Sequence, residues 1–378
     1  MVDRLKILEI CQKANDTVQQ FDLFEESIRA LTSCGHDVTL CLLEKSPQVN
    51  ELKKRTGAKI HEMNFEKKDF RGLGVRGLVK LYMLLKKEHF DVVITHRYKP
   101  SYLMMILSFF VPCRKVISVF HGMRQFNRAG RRWLARWAIK DNWKCIAVSK
   151  AVKSDLESVG IPEGNIEVIY NAIDAVGMQE KFYSRREARD ILGLEDGDQV
   201  IGTIGRVERV KGHEFLIDAF AQLSVMNTDW KLVIIGGGTL QEGLEQKIDQ
   251  YGLGGRVMIT GAIPDAYRLL PAFDTFVMSS LSEGLPIAML EAICAGLPLA
   301  GTNVGGIPEL IPEKDLIAES GSSDSLAEVM ERLLSLSEDR RSEYVEALRD
   351  KLANEFSMEN YWESYQRIVS QGVSLNGE

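Results

Sequence analysis

Short apolar runs alternate along this chain with longer stretches of helical period, and that alternation admits few architectures. Strand-like runs in the first half are Lys6–Cys11, Asp37–Leu43, Lys59–Met63, Asp91–Thr95, Lys115–Phe120, Cys145–Val148 and Ile166–Ile169. Helical stretches fit between them, notably Gln19–Cys34 and Gly77–Glu88. Strands joined by helical crossovers predict parallel sheets covered on both faces, the doubly wound α/β class. The pattern pauses after Tyr170-Asn171-Ala172-Ile173-Asp174, and a charged stretch, Gln179–Asp198, holds one helix, Ser184–Leu192. Strand-like runs resume at Gln199–Ile204, Lys231–Ile235, Val257–Thr260, Thr275–Met278 and Leu297–Gly301. With 378 residues, 45% of them hydrophobic, there is material for two domains, each with its own core. The expected division is 1–176 and 199–357, a linker at 177–198, and a C-terminal helix, 358–378, able to pack back on the first domain.

Composition removes several classes. Met1–Lys6 leads into only a short apolar strand, which is no cleavable signal pattern. The longest apolar run, Tyr102–Pro112, is shorter than the roughly 20 residues a membrane span needs. Six scattered cysteines without C-x-x-C spacing read as reduced thiols of a cytoplasmic protein. Six histidines include no His-x3-His pair, so no metal site is expected. The Asp196-Gly197-Asp198 triplet lies in a charged turn and is not read as one.

The net charge of −6 conceals an asymmetry. Residues 97–153 contain thirteen Lys/Arg and a single acid, Asp141, a net of +12, so the remainder carries −18. Arg124, Arg128, Arg132, Arg136 and Lys140 recur every fourth residue, with Trp133, Leu134 and Trp137 among them. As one helix, that stretch makes a basic, tryptophan-bearing face. It is either a solvated surface or a landing site for anionic lipid or a phosphorylated acceptor. Nucleic acid is not an expected partner, because no sequence-reading module is visible and the rest of the chain repels phosphate.

The chemistry concentrates in Ser280–Ala300, SLSEGLPIAMLEAICAGLPLA. Glu283 and Glu291 flank a Gly284-Leu285-Pro286 step where a helix is expected to begin, with Pro286 at its first position. Gly296 is placed to end it in a left-handed conformation. A helix start offers unpaired N–H groups and partial positive charge, which suits a phosphate. Glu291 would then accept ribose hydroxyls, and Glu283 would face a transferred sugar. Upstream, GRVERVKG follows a strand: Gly205 permits a tight turn, and Arg206 and Lys211 are candidates to meet one diphosphate. Gly236-Gly237-Gly238 matches neither a dinucleotide fingerprint nor a P-loop and reads as a strand-to-helix turn. Gly261 ends a strand and lets backbone near Ile263 approach a flat base, and Gly305-Gly306 again permits close approach.

Taken in order, GRVERVKG, the Gly-rich turn, ITGAIP, SEGLPIAMLEAICAGLP and GGIPEL resemble family 4 of the retaining glycosyltransferases. The Glu-x7-Glu pair of that family stands here as Glu283 and Glu291. The resemblance implies the GT-B fold, two Rossmann-like domains facing across a cleft, acceptor-binding first and nucleotide-sugar-binding second. It implies a metal-independent transferase that uses no cofactor beyond its nucleotide-sugar donor, a UDP-sugar by family frequency. The acceptor stays open between soluble hydroxyls and a glycan or lipid-linked hydroxyl, as in cell-envelope polysaccharide or lipopolysaccharide core synthesis; the basic first half fits the latter, at the inner face of the cytoplasmic membrane. Arg206 and Lys211 would bind the diphosphate, Glu291 the ribose, Glu283 the donor sugar. Main chain at Gly284 and Leu285 would cradle phosphate or sugar, and Ile263 the base. His121, ending the strand Lys115–Phe120, would reach the donor sugar. Asn171 and Ser149 fit structural positions of the family. One departure stands out: the loop 12–17, Gln-Lys-Ala-Asn-Asp-Thr, lacks the family's paired glycines, so either side chains such as Asn15 replace backbone contacts or the acceptor sits differently. Rival classes are a sugar-nucleotide epimerase of the same plan and a non-catalytic nucleotide-sugar-binding protein. A nicotinamide oxidoreductase is disfavoured, since no fingerprint follows Lys6–Cys11.

Overall fold

The computed structural model describes residues 4–13, 23–47, 49–66, 69, 75–224 and 229–372. The expectation for loop 12–17 falls largely outside them, Asn15 included; of its residues only Gln12 and Lys13 are described. The chain divides into two compact units. One runs to Asn171 and takes back Glu359 onward; the other is Ala172–Met358.

In the first unit the strands are β1 (Lys6–Cys11), β2 (Asp37–Leu42), β3 (Lys59–Glu62), β4 (Val92–His96), β5 (Lys115–Phe120), β6 (Trp143–Ala147) and β7 (Ile166–Val168). They form one sheet in the order β3-β2-β1-β4-β5-β6-β7, every pair parallel. Each residue of β4 and β5 is buried, as strands covered by helices on both faces must be. The polar groups this traps pair with one another: Thr95 Oγ1 lies 2.9 Å from Ser101 Oγ and 2.8 Å from Ser118 Oγ, and Trp143 Nε1 donates to Ser118 Oγ at 3.2 Å.

The returning helix, Met358–Ser370, is held at its carboxyl end by a lysine from mid-chain. Lys115, buried at the start of β5, donates through Nζ to the carbonyls of Ile368 and Gln371. Ile368 O is one of the last-turn carbonyls a helix end leaves without partners, and Gln371 O follows just beyond it, at the negative end of the helix dipole. Burial pushes the ammonium down to about 8. Arg367 donates to Glu167 in β7, and the rings of Tyr361 and Tyr365 meet at a tilt, 4.7 Å between centroids, within the core.

The second unit carries β8 (Gln199–Ile204), β9 (Trp230–Ile235), β10 (Val257–Ile259), β11 (Thr275–Met278), β12 (Leu299–Thr302) and β13 (Ile317–Ala318). Their order is β10-β9-β8-β11-β12-β13, again parallel throughout. The helix Arg185–Leu192 opens with a capping box between Ser184 and Glu187 and closes at Gly193, φ +65°. Its Arg189, fully buried, donates to the carbonyls of Glu195, Asp196, Asp198 and Ala272 and to Asp274 at 3.1 Å. That one side chain fixes the turn entering β8. Asp198 is itself engaged, with Lys231 Nζ and the Glu195 amide each at 2.7 Å.

Strand order reverses direction between β1 and β4 in one sheet and between β8 and β11 in the other. Such switch points open a crevice beyond the carboxyl ends of the strands, where doubly wound sheets bind ligands.

Candidate functional site

At the second switch point, the loops leaving β8 and β11 are stitched together. The Gly205 amide donates back to Ile235 O at 3.0 Å, and residues Arg209–Lys211 form a single tight turn that ends at Gly212. Gly212 has φ +62°, and a Cβ there would stand 2.2 Å from the Ser279 carbonyl oxygen, so only glycine fits. Ser279 Oγ donates to Lys211 O at 3.0 Å and the Leu281 amide to Val210 O at 2.8 Å. This contact sets Lys211 against the carboxylate: Nζ lies 2.6 Å from Glu283 Oε1, which also accepts from Ser280 Oγ at 2.7 Å. Both charged side chains are mostly buried, where a charge-assisted bond is stronger than in water.

A third loop, after β12, presses on the same spot. Gly305 takes φ +53°, and a Cβ there would meet the Glu283 carbonyl oxygen at 2.1 Å. The Gly306 amide donates to Gly284 O at 2.6 Å, and Thr302 Oγ1 to Ser280 O at 2.6 Å. The Gly236-Gly237-Gly238 turn backs the first loop: the Val207 amide donates to Gly237 O at 3.0 Å, and a Cβ on Gly238 would stand 2.2 Å from Val207 O. Gly236 also bridges Gly261, two residues before the half-buried Ile263.

The helix expected from Gly284-Leu285-Pro286 runs Ile287–Cys294. Pro286 has ψ 116° and is the cap, so the helix starts one residue later than expected. Gly296 ends it at φ +76°. Gly284 and Leu285 are buried immediately before the start. Glu291 lies on the helix among Met289, Leu290, Ala292 and Ile293, which are buried. Burial pushes its carboxyl up to about 7. Its charge also helps raise Tyr267, after burial and the Asp265 carboxylate, which places that phenol nearby.

Gly205, Lys211, Glu283 and Gly284 are thus brought together, and Glu291 follows on the helix they introduce. Arg206 is not drawn in with them. Its guanidinium, 72% exposed, turns to Glu208 Oε1 at 2.9 Å. His121 belongs to the other unit. It follows β5, half-buried, its Nε2 3.4 Å from His96 Nδ1 and its ring stacked on His96 at 5.7 Å. Burial, with His96 and Arg97 close by, holds His121 well below the ordinary imidazole range. Asn171 is buried, and Ser149 caps the helix Lys150–Ser158 by accepting from the Val152 amide at 3.1 Å. Ser280 and the pair Glu9 and His96 were not among the expected site residues. The signal for the pair was an acid and an imidazole inside the apolar runs Lys6–Cys11 and Val92–His96.

The basic stretch is less regular than its spacing suggests. Helix covers only Ala129–Ala138; Arg124 has φ +60° and Ile139 is extended. Arg132, Trp133, Arg136 and Trp137 therefore share the helix, whereas Arg124, Arg128 and Lys140 lie outside it. Trp133 and Trp137 are 63% and 54% exposed, with ring centroids 5.9 Å apart. The helix Tyr98–Leu107 packs against both this helix and Val75–Glu88, whose Val75, Val79 and Met83 are also exposed. Among the described residues, no helix is long and apolar enough to cross a membrane.

Two family models match this chain: Glycosyltransferase Family 4 over residues 24–176, and Glycosyl transferases group 1 over residues 184–350. Among curated relatives, the N-acetyl-alpha-D-glucosaminyl L-malate synthase of Bacillus anthracis is 27% identical over 240 residues, 62% of this chain and 61% of that protein. The UDP-Gal:alpha-D-GlcNAc-diphosphoundecaprenol alpha-1,3-galactosyltransferase of Escherichia coli is 31% identical over 248 residues, 61% of this chain and 62% of that protein. The chain thus spans about six-tenths of the length of these relatives. The crystal structure of Anabaena Alr3699/HepE in complex with UDP has the same fold, with a TM-score of 0.80 at 19% identity over 97% of this chain and 100% of that one.

Proposed function

Because this chain belongs to the family 4 glycosyltransferases, whose two models together account for most of it, we propose that it transfers a sugar from a nucleotide-diphosphate sugar to a hydroxyl of a glycan or lipid-linked acceptor, with retention at the anomeric carbon. The observation that carries this reading is the Lys211–Glu283 contact, 2.6 Å, at the switch point, set by glycines whose positions admit no side chain and followed by the helix bearing Glu291. In this reading the unit Ala172–Met358 holds the donor and the other unit the acceptor.

The costly event in such a transfer is charge building on the departing diphosphate. Fixed positive groups aimed at that charge lower the barrier without reorganising as it forms. Lys211 and the amides at the start of helix Ile287–Cys294 supply them, joined by Arg206 once its guanidinium leaves Glu208. Lys211 holds three N–H donors and gives one to Glu283, so it keeps capacity for phosphate oxygens. Together these groups do the work a divalent cation does elsewhere, and the reading is metal-independent. Glu283 faces the sugar as its ring gains positive character, with Ser280 fixing the carboxylate. Glu291 takes the ribose hydroxyls, main chain near Ile263 the base, and His121 a hydroxyl of the donor sugar. A UDP-sugar is the favoured donor: the Escherichia coli relative is named for UDP-Gal and the Anabaena structure holds UDP. The exposed tryptophans and arginines of helix Ala129–Ala138 are the surface that meets an anionic membrane, where a lipid-linked acceptor would be presented at the cytoplasmic face.

Thermal-shift screening with UDP-, GDP-, ADP- and dTDP-sugars tests the donor assignment. A shift confined to UDP-sugars, abolished in Lys211→Ala, is the expected result. No shift with any of them removes the reading.

A further inference from the structure

At the switch point of the first sheet, three neighbouring strands each contribute one member of a hydrogen-bonded line. Glu9 lies in β1, His96 ends β4 and His121 follows β5. Glu9 is fully buried; its Oε1 lies 2.5 Å from His96 Nε2 and accepts from Ser27 Oγ. His96 Nδ1 lies 3.4 Å from His121 Nε2. Phe24 packs on the His96 ring edge-on, at 6.2 Å between centroids. A carboxylate in the middle of a parallel sheet costs several kcal/mol unless it is bonded, and its neighbours in β1, Leu8 and Ile10, are apolar and fully buried. Its other oxygen, Oε2, is buried with no hydrogen-bond partner among the described residues.

We propose that Glu9 and His96 are positioning residues that lock His121 in one tautomer for its contact with the donor sugar, an inference that rests on the assignment of His121 above. The proton placement follows from the acceptor at the buried end. Glu9 Oε1 is assigned as the acceptor and His96 Nε2 as the donor across that contact. In the proposed line His96 Nδ1 is the acceptor and His121 donates Nε2–H to it. That leaves His121 Nδ1 as a hydrogen-bond acceptor, and Nδ1 makes no hydrogen bond among the described residues. A hydroxyl-bearing ligand is the partner it suits. Burial keeps His121 neutral, as the tautomer argument needs. Around metal-bound histidines, partners one step removed change affinity or activity by about 10- to 100-fold when removed, because they set ring orientation and tautomer, and the same scale is expected here.

Long-range proton–nitrogen NMR of histidine-labelled protein reads the tautomer directly and needs no activity. His121 is assigned by its absence in His121→Gln. The expected result is a neutral, Nε2-protonated His121 in the wild-type protein and a mixture of tautomers in His96→Phe, which keeps the ring and drops both bonds. Because that variant strands Glu9, the double variant Glu9→Leu/His96→Phe, which makes the pair apolar, is measured beside it. With the donor and acceptor that the wild-type enzyme uses, His96→Phe lowers kcat by about 10-fold or more and leaves donor KM within about twofold. Added to His121→Ala it costs nothing further, since it acts only through that ring. A wild-type His121 protonated on Nδ1, or losses that multiply in the double variant, overturns the inference. Failure of the wild-type protein to bind any nucleotide sugar sinks the donor reading instead, and leaves the tautomer result standing by itself.

Discussion

Glu291 gives the most discriminating test of the donor site, because its carboxyl titrates where enzymes are assayed. Burial alone drives it up to about 7, from the 4.5 of an ordinary glutamate. If the ionised form is the one that accepts both ribose hydroxyls, affinity for the donor must rise with pH through that value. A ligand that needs a fraction of the protein sees its Kd weakened by that fraction. At pH 6 about one carboxyl in ten is ionised, so binding should be about tenfold weaker than at pH 8, some 1.4 kcal/mol. The sign for the empty protein is opposite. A carboxyl raised in the folded state lends stability below the ordinary value, and that stability is lost as pH climbs from 4.5 through 7. UDP-glucose is the proper probe, since its diester phosphates carry no proton in this range. Calorimetry at half-unit steps from pH 5.5 to 8, in buffers of different ionisation heat, should show proton release on binding below pH 7. Glu291→Gln should flatten both the affinity profile and the proton release. A level profile in the wild type, or an equal slope in Glu291→Gln, refutes the reasoning. The one histidine of Ala172–Met358 does not imitate the effect: His213, pushed to about 4 by burial with Lys211 nearby, has lost its proton before the window opens.

Three further outcomes are expected. Lys211→Ala and Arg206→Ala should each lower kcat by roughly 10²-fold with the wild-type donor, the loss seen when one fixed charge-stabilising donor is removed; steady-state rates within threefold of wild type in both would remove the diphosphate role. Gly305→Ala should preserve the far-UV spectrum yet weaken UDP-glucose binding at least tenfold, about 1.4 kcal/mol, because its Cβ displaces the Glu283 main chain; calorimetry that finds wild-type affinity contradicts the packing described for that loop. Trp133→Ala/Trp137→Ala should abolish sedimentation with vesicles rich in phosphatidylglycerol and leave transfer to a water-soluble acceptor intact; unchanged sedimentation places the membrane contact elsewhere.

Legibility in the sequence followed the range of the forces involved. The apolar runs mark strands because burial on both faces demands them, and Lys6–Cys11, Lys115–Phe120, Gln199–Ile204 and Thr275–Met278 stand at the residues expected. Ile317–Ala318 escaped, since two residues give no period to read. The helix after Pro286 was legible to within one residue, because ψ, unlike φ, is not fixed by the proline ring. Arg124 to Lys140 misled: side chains four apart share a face only where the backbone is helical, and it is not at Arg124 or Ile139. Lys211 and Glu283 each stood out, but their contact spans 72 residues, and only the shared edge of β8 and β11 creates it. The same holds for Glu9 and His96, 87 residues apart.

The return of helix Met358–Ser370 to the first sheet has a consequence for how the chain matures. A sheet whose strands leave the ribosome first must wait for its last covering helix until Ala172–Met358 has been made. Until then Lys115 lacks the two carbonyls that receive it. The segment made in between can complete its own fold earlier, so the order of synthesis and the order of completion are reversed, and truncation inside the final helix should harm the half of the protein farthest from it in sequence.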